Sequence, residues 1–373
     1  MARAPVTMHA KLYNDPAFYQ RERARIFEKS WLFAGHESQL KNPGDYVARR
    51  IADYPILVVK GEGGSVNAFR NFCRHRAHPL VEDGFGNCGA ELTCPYHGWR
   101  YKHEGRLRVA RDFGPADNFD ARNFSLNRIN TASWRGLVFV NLEKNPGPFT
   151  SFIAPLAARM QDMQIEGLRV HHAVSHMIAC NWKVYVENYQ EGYHIPPAHP
   201  YLDSQVISSQ YKVTVVPPAS FHEAPARDGS PVSGLWAWMW PCLGVNVYGD
   251  GGMMMETMSP VGHDHCRLDY LYLFPQGESE DVVQKAVAAS EVTTREDIII
   301  CERVQRSLNS SGYKQGVLSP KHEMGVAWFQ RQVLDATAHP LGFRATAQRL
   351  ADLANAVRHL GGPMPIARAG YRL

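Results

Sequence analysis

The chain has 373 residues, 45% hydrophobic and 20% charged, with 40 Lys and Arg against 36 Asp and Glu. A net charge of +4 is too small to argue for a nucleic-acid partner, and no apolar run is long enough to span a membrane. Seven cysteines, an odd number at low density, suit a reducing compartment, and the N-terminus lacks the apolar core of a secretory signal, so a cytoplasmic protein long enough for two domains is expected.

Asp15 and Pro16 suit the cap and first turn of a helix that should run to about Lys29, with Phe18, Ala24, Ile26 and Phe27 as its apolar members. Short β-rich runs follow at 31–34, 46–51, 56–60 and 66–72, separated by Gly, Pro, Asn and Asp, as in a small antiparallel β domain. Gly61-Glu62-Gly63-Gly64 lies between two such runs and reads as a turn; no dinucleotide-binding G-x-G-x-x-G follows a strand.

Within this domain stand Cys73-Arg74-His75 and Cys94-Pro95-Tyr96-His97, with 18 residues between the pairs. A zinc site of two Cys and two His is chemically open. A zinc finger, however, more often groups Cys with Cys and His with His. C-x-H followed by C-x2-H is the pattern of a Rieske two-iron two-sulfur centre, where two thiolates hold one iron and two imidazoles the other. Cys88 reads as an ordinary loop cysteine and His78 has no assigned role.

A strand is expected over 134–142, a domain junction at Pro146-Gly147-Pro148, a helix over 151–166 and a strand over 168–178. The stretch Asn181–Pro200 then carries His194 and His199, with Glu191 three residues before His194 and on its face if the segment is helical. Pro196 and Pro197 should break that helix and return His199 from a loop. Two converging imidazoles with acids alongside suit iron or zinc. Strands return over 213–274. Trp236, Trp238 and Trp240 fall on one strand face, as do Met253, Met255 and Thr257 in one strand and Leu268, Tyr270 and Tyr272 in another. A long helix is expected over 279–309. Stepping back from its apolar stripe of Ile300, Cys301, Val304 and Leu308 puts Asp297 on the buried face, as a metal ligand or an acid paired with an Arg. Glu296 falls nearer the edge, and Glu302 with Arg306 has surface ion-pair spacing.

Two metal motifs in this order, NWK…E-N-Y-x-E-x-Y-H-x4-H after the Cys/His pairs, resemble the α subunit of a Rieske-type non-heme iron oxygenase over nearly the whole chain. The resemblance implies an α+β protein: an N-terminal helix over 1–32 packing on the catalytic domain, a small antiparallel β Rieske domain over 33–147, and a catalytic domain over 148–373 with a twisted antiparallel sheet wrapped around a long helix. It implies Cys73 and Cys94 on one cluster iron, His75 and His97 on the other, and His194, His199 and Asp297 on a mononuclear ferrous iron. Glu191 would bridge a neighbouring subunit's cluster histidine to a histidine at this iron, in a homotrimer. Most aromatic-ring members carry Asp there, and Glu resembles the branch acting on choline, glycine betaine, carnitine and stachydrine. Glu187 would stand behind the ligands or form a salt bridge.

The implied activity is that of a terminal oxygenase. A separate flavin and iron–sulfur reductase draws electrons from NADH or NADPH, and dioxygen oxidises a small organic substrate, here a quaternary ammonium compound, by hydroxylation or N-demethylation. Tyr185, Tyr189, Tyr193, Trp236, Trp238, Trp240 and Tyr248 are the candidate cation-binding wall. The same wall would suit an aromatic-ring dioxygenase. A Rieske electron-transfer protein, or a zinc hydrolase using the same triad, are the rivals of another class. His171, His172, His176, His263 and His265 read as surface or core residues.

Overall fold

The computed structural model describes residues 4–230, 232–249 and 251–338. Its N-terminal helix, Pro16–Glu22, is capped by Asp15, whose side chain accepts the Ala17 N–H at 2.8 Å. The chain then widens into a π-helical stretch, Arg23–Phe27, so the helix expected to reach Lys29 ends two residues sooner. Phe18, Ile26 and Phe27 are buried.

Two seven-stranded antiparallel sheets make up most of the fold. The first runs in the spatial order Leu32–His36, Leu137–Asn141, Arg128–Trp134, Val66–Arg70, Tyr54–Lys60, Asp45–Ile51, Gly84–Asn87. Two of its hairpins turn in two residues, at Ala52-Asp53 (φ 50° and 62°) and Arg135-Gly136 (φ 50° and 89°). Positive φ at both positions matches the turn to the strand twist, and small or short polar residues take three of the four places, with Arg135 the exception. A three-stranded sheet, Leu92–Thr93, Arg100–Tyr101 and Leu107–Val109, packs under the first.

The second sheet runs Leu168–Ile178, Cys266–Pro275, Met253–Pro260, Leu243–Tyr248, Val232–Met239, Ala219–Glu223, Lys212–Val216. Its last six strands meander. The first pairs with the last in sequence, so the segment between residues 179 and 211 is carried over one face. Side chains alternate between two cores. Met253, Met255, Leu273, Ala237 and Met239 pack with Trp31, Phe139 and the helix Phe149–Arg159. Met254, Met258, Tyr270, Tyr272 and Trp238 face the N-terminal segment and the helices Trp182–Tyr189, Glu280–Asn309 and Met324–Ala336. The helix expected over 151–166 is therefore shorter and earlier, at 149–159.

The long helix has 30 residues and is N-capped by Ser279. Its buried stripe is Thr294, Asp297, Cys301, Gln305 and Leu308, while Val304, expected inside, is exposed. Glu302 does not pair with Arg306 as its spacing suggested; it accepts the Ala179 N–H at 3.1 Å and so caps the end of the first strand. Tyr13 donates to Glu187 (2.6 Å), Glu22 pairs with Lys183 (2.6 Å), and Tyr19 donates to Asp53 (2.6 Å), so the N-terminal segment ties the helix behind the metal site to the first sheet. The class is α+β, with an antiparallel sheet against one long helix.

Candidate metal centres and the cavity beside them

The Cys73 and Cys94 loops have the same build. The Cys73 N–H donates to the His78 carbonyl (2.8 Å) and the Ala77 N–H to the Cys73 carbonyl (3.0 Å); Cys94 with Trp99 (2.8 Å) and Gly98 with Cys94 (3.0 Å) repeat the pattern. The fifth residue of each loop is left-handed, Ala77 at φ 57° and Gly98 at φ 71°. For Ala this conformation costs about 1–2 kcal/mol. His78, unexplained by the sequence, closes the first loop through its carbonyl as Trp99 closes the second.

Both thiols are buried, His97 is half-buried and His75 is exposed. The two imidazole rings lie 4.6 Å apart, and Trp99 stacks on His75 at 4.9 Å. Tyr101 Oη is 3.2 Å from Cys73 Sγ and accepts the Arg74 N–H at 3.0 Å. Burial holds the Cys94 thiol above its ordinary value, so a thiolate there needs a cationic centre beside it. His97 Nδ1 is buried without a hydrogen-bond partner. Among the described residues, the only group of three or more His, Cys, Asp and Glu whose donor atoms all lie within 4.8 Å of one another is elsewhere. The Cys/His donors therefore do not converge on one small ion, which argues against a single tetrahedral zinc. Two buried sulfurs and two imidazoles, one exposed and one half-buried, suit a cluster of two unlike irons.

The group that does converge is His194, His199 and Asp297. Asn181 caps the helix Trp182–Tyr189 by accepting the Lys183 N–H at 3.0 Å. That helix ends before Glu191, so Glu191 and His194 meet across a turn and not on a helix face. The Glu191 carboxylate accepts the backbone N–H of Tyr193 and of His194 (3.2 Å), and stands 2.6 Å from His194 Nδ1. Gly192 is required in this turn because a Cβ would come within 2.6 Å of the Tyr211 ring. Pro196 and Pro197 lie in a single turn, Ile195–Ala198, and His199 separates it from the next, Pro200–Gln205. His199 Nδ1 is 2.8 Å from Glu296. Each imidazole is thus held at Nδ1 by a carboxylate, leaving both Nε2 atoms facing Asp297.

Asp297 Oδ1 is 3.0 Å from His199 Nε2 and 3.7 Å from His194 Nε2. The shorter approach lacks hydrogen-bond geometry and leaves His199 Nε2 buried and unsatisfied. The Asn188 amide donates to the same oxygen at 2.6 Å. Burial disfavours a charged His199, yet Asp297 and Glu296 outweigh it and hold its pKa above the ordinary value. Two neutral nitrogens and one carboxylate at a common point fit a divalent iron with open positions. Neither Glu296 nor Asn188 was assigned these contacts from the sequence. Glu187 stands apart from this group and receives the Tyr13 hydroxyl; burial pushes its carboxyl up to about 7.

Against the triad opens a cavity of about 160 Å³. Tyr185, Tyr189, Tyr201, Tyr211, Trp236, Tyr248 and Tyr270 are its aromatic walls, with Glu256 among them. Three wall residues expected from the sequence do not reach it. Trp238 is fully buried against Trp328 and Phe329 (5.6 and 5.5 Å), and Trp240 also packs on Phe329. Trp238 shares a strand face with Trp236, but successive same-face residues advance about 7 Å along a strand and pass the cavity's end, and the strand ends at Met239 before Trp240. Tyr193 is 58% exposed and stacks on His322 in an adjoining open cleft. Tyr201, Tyr211, Tyr270 and Glu256 were missed. For Glu256 the one available signal was an acid inside Met253-Met254-Met255-Glu256-Thr257-Met258, an otherwise apolar strand.

A cluster-type loop pair on a β domain, joined to a sheet-and-helix domain whose helices and turns carry a two-His one-carboxylate group, defines the class of two-centre iron oxygenases. Residues 30–120 match the family model for the Rieske [2Fe-2S] domain, and residues 165–339 that for the ring hydroxylating alpha subunit (catalytic domain). The carnitine monooxygenase oxygenase subunit of Escherichia coli K12 is 30% identical, over 83% of this chain and 86% of its own. The chloroplastic choline monooxygenase of Spinacia oleracea is 29% identical, over 85% and 75%. A solved quaternary ammonium Rieske monooxygenase superposes with a TM-score of 0.83 at 30% identity, covering 90% of this chain and 96% of that one. Naphthalene 1,2-dioxygenase shares the fold, with a TM-score of 0.74 at 16% identity. The chain belongs to the α subunits of the Rieske non-heme iron oxygenases. It is an oxidoreductase of a family that carries a 2Fe-2S cluster and a mononuclear iron and takes electrons from a separate reductase. No described helix is long and apolar enough to cross a membrane.

Proposed function

We propose that the protein is the terminal oxygenase of a cytoplasmic system that oxidises a quaternary ammonium compound at a carbon bonded to nitrogen. Cys73, Cys94, His75 and His97 hold the cluster, and His194, His199 and Asp297 the iron. When bound, the cluster relays single electrons and the ferrous iron activates dioxygen.

The chain's own groups set the geometry. Glu191 and Glu296 accept the Nδ1 protons of His194 and His199, which fixes the tautomers and frees Nε2. Asn188 holds Asp297 from behind. Aromatic faces around the cavity attract a quaternary ammonium, by about 0.5–2 kcal/mol per ring, and keep water from it. For an N-methyl group, one oxygen atom enters a C–H bond and the other leaves as water, consuming two electrons and two protons. The resulting N–CH2OH compound loses formaldehyde and a proton and leaves a tertiary amine.

The observation that carries this reading is the ring-lined cavity directly against the convergent triad. Glu at position 191 and the carnitine- and choline-oxidising relatives support it. Glu191 borders both this cavity and the open outer cleft, which supports a homotrimer in which a neighbour's cluster domain seats in the cleft. With a reconstituted flavin and iron–sulfur reductase and NADH, trimethylammonium compounds should give formaldehyde or the corresponding aldehyde, coupled to oxygen uptake. Coupled oxidation of aromatic acids with no ammonium compound consumed would overturn the assignment.

A further inference from the structure

We propose that the cavity selects among ammonium compounds by net charge, taking monocations without a carboxylate over zwitterionic betaines, and that Glu256 makes this selection. The inference rests on the ammonium reading above and narrows it.

The charge inventory of the cavity is one-sided. Its acids are Glu191, Glu256 and Asp297, and no Lys or Arg lines it among the described residues. Two of the acids are already engaged. Glu191 is spent on His194 and two backbone N–H groups, and Asp297 on Asn188 and the imidazole pair. Glu256 has only neutral partners: Asn246 Nδ2 at 3.2 Å, Tyr270 Oη at 3.3 Å, and the Tyr185 hydroxyl. It is 4% exposed.

Those donors have partners of their own. Tyr270 Oη lies 2.9 Å from Thr294 Oγ1, which in turn donates to the Ser290 carbonyl at 2.8 Å, and the Asn246 carbonyl accepts from Tyr189 at 3.0 Å. Nothing in this network requires an acid at position 256; an amide of the same shape would serve it. Burial pushes the Glu256 carboxyl up to about 8, as expected for a group lacking a cationic neighbour. A carboxyl held in this way inside a ring-lined cavity gains a partner when a quaternary ammonium enters, and the ammonium gains an anion as well as aromatic faces. Away from the metal triad, a betaine brings a second carboxylate into a space whose described side chains offer it hydroxyls and amides but no Lys or Arg, so it loses water without compensation there.

The test is equilibrium binding to the full-length protein with both metal centres loaded, by calorimetry, with three probes of one shape. These are choline (monocation), glycine betaine (zwitterion) and 3,3-dimethylbutan-1-ol (neutral). Choline should bind at least roughly tenfold tighter than either of the others. In Glu256→Gln, choline should weaken by roughly tenfold or more while the neutral probe is unchanged, and the choline-to-betaine ratio should fall towards one. Intact cluster absorbance verifies folding of the variant. If it does not fold, Glu256→Met and the wild-type ratio itself decide. Equal or tighter betaine binding by the wild type, or unchanged choline binding in the variant, overturns the inference. Betaine bound and oxidised as well as choline would overturn this inference alone. No binding of either ammonium compound would sink the ammonium reading with it.

Discussion

The two metal centres are built in opposite ways. The cluster donors come from two loops that repeat one backbone pattern, each closed by its own hydrogen bonds, with both sulfurs buried and the His75 imidazole exposed. The mononuclear donors come from a turn at His194, a break between short helices at His199, and the long helix at Asp297, and they converge within 4.8 Å. The first arrangement is local and keeps its donors unlike. The second is tertiary and makes its donors meet, so it depends on residues that only hold others: Glu296, Asn188, and the Tyr13–Glu187 contact behind the helix. Damage to the first should change the cluster's potential and nothing else. Damage to the second should change metal affinity and leave the cluster alone.

The largest effect should follow from His75→Cys. His75 is exposed, so the loop tolerates the change, and an anionic ligand replaces a neutral one. The iron–sulfur chromophore should persist with its potential lowered by roughly a few hundred mV, read by spectroscopic titration. An unchanged potential would remove His75 from the ligand set. Next, Glu296→Ala frees His199 Nδ1 from its only carboxylate. Mononuclear iron affinity should drop about 10–100-fold with the cluster spectrum intact. Loss of both centres together would show that the two are not built independently.

The smallest effect tests the scaffold. Glu187 is half-buried beside Tyr13, and desolvation raises its carboxyl from 4.5 to about 7. The folded state therefore holds a proton that the unfolded state has released, and stability declines as pH rises from about 4.5 through about 7. Glu187→Gln keeps an acceptor for Tyr13 and removes this penalty. It should stabilise the protein by about 1–3 kcal/mol at pH 8 and by nothing at pH 4.5, measured by denaturant unfolding at both pH values. Equal effects at both would mean the carboxyl is ionised in the fold.

The same contrast explains what the sequence made legible. Cys73, His75, Cys94 and His97 could be picked out because each loop's chemistry is written within a few residues. Spacing and a helical stripe made His194, His199 and Asp297 candidates and the family resemblance made them a ligand set, although the stripe itself was misdrawn at Val304. The cavity wall was the least legible part, because it depends on which end of each strand faces the helix layer. Period two holds for Trp236 and Trp238 within the strand, which ends at Met239 before Trp240, and only Trp236 stands where the cavity is. Two strands away, attention to Met253 and Met255 followed the core face, and Glu256 points the other way. Pairing partners and register, such as Glu256 opposite Tyr270, are set by contacts across the sheet and leave no local trace.

Metal analysis of Asp297→Ala beside the wild type tests the central claim most directly, that a separate mononuclear iron sits where His194, His199 and Asp297 meet. The wild type should hold about three irons and two sulfides per chain, and the variant about two of each, with an unchanged cluster spectrum and no substrate oxidation. A variant that keeps its third iron and turns over would contradict the account.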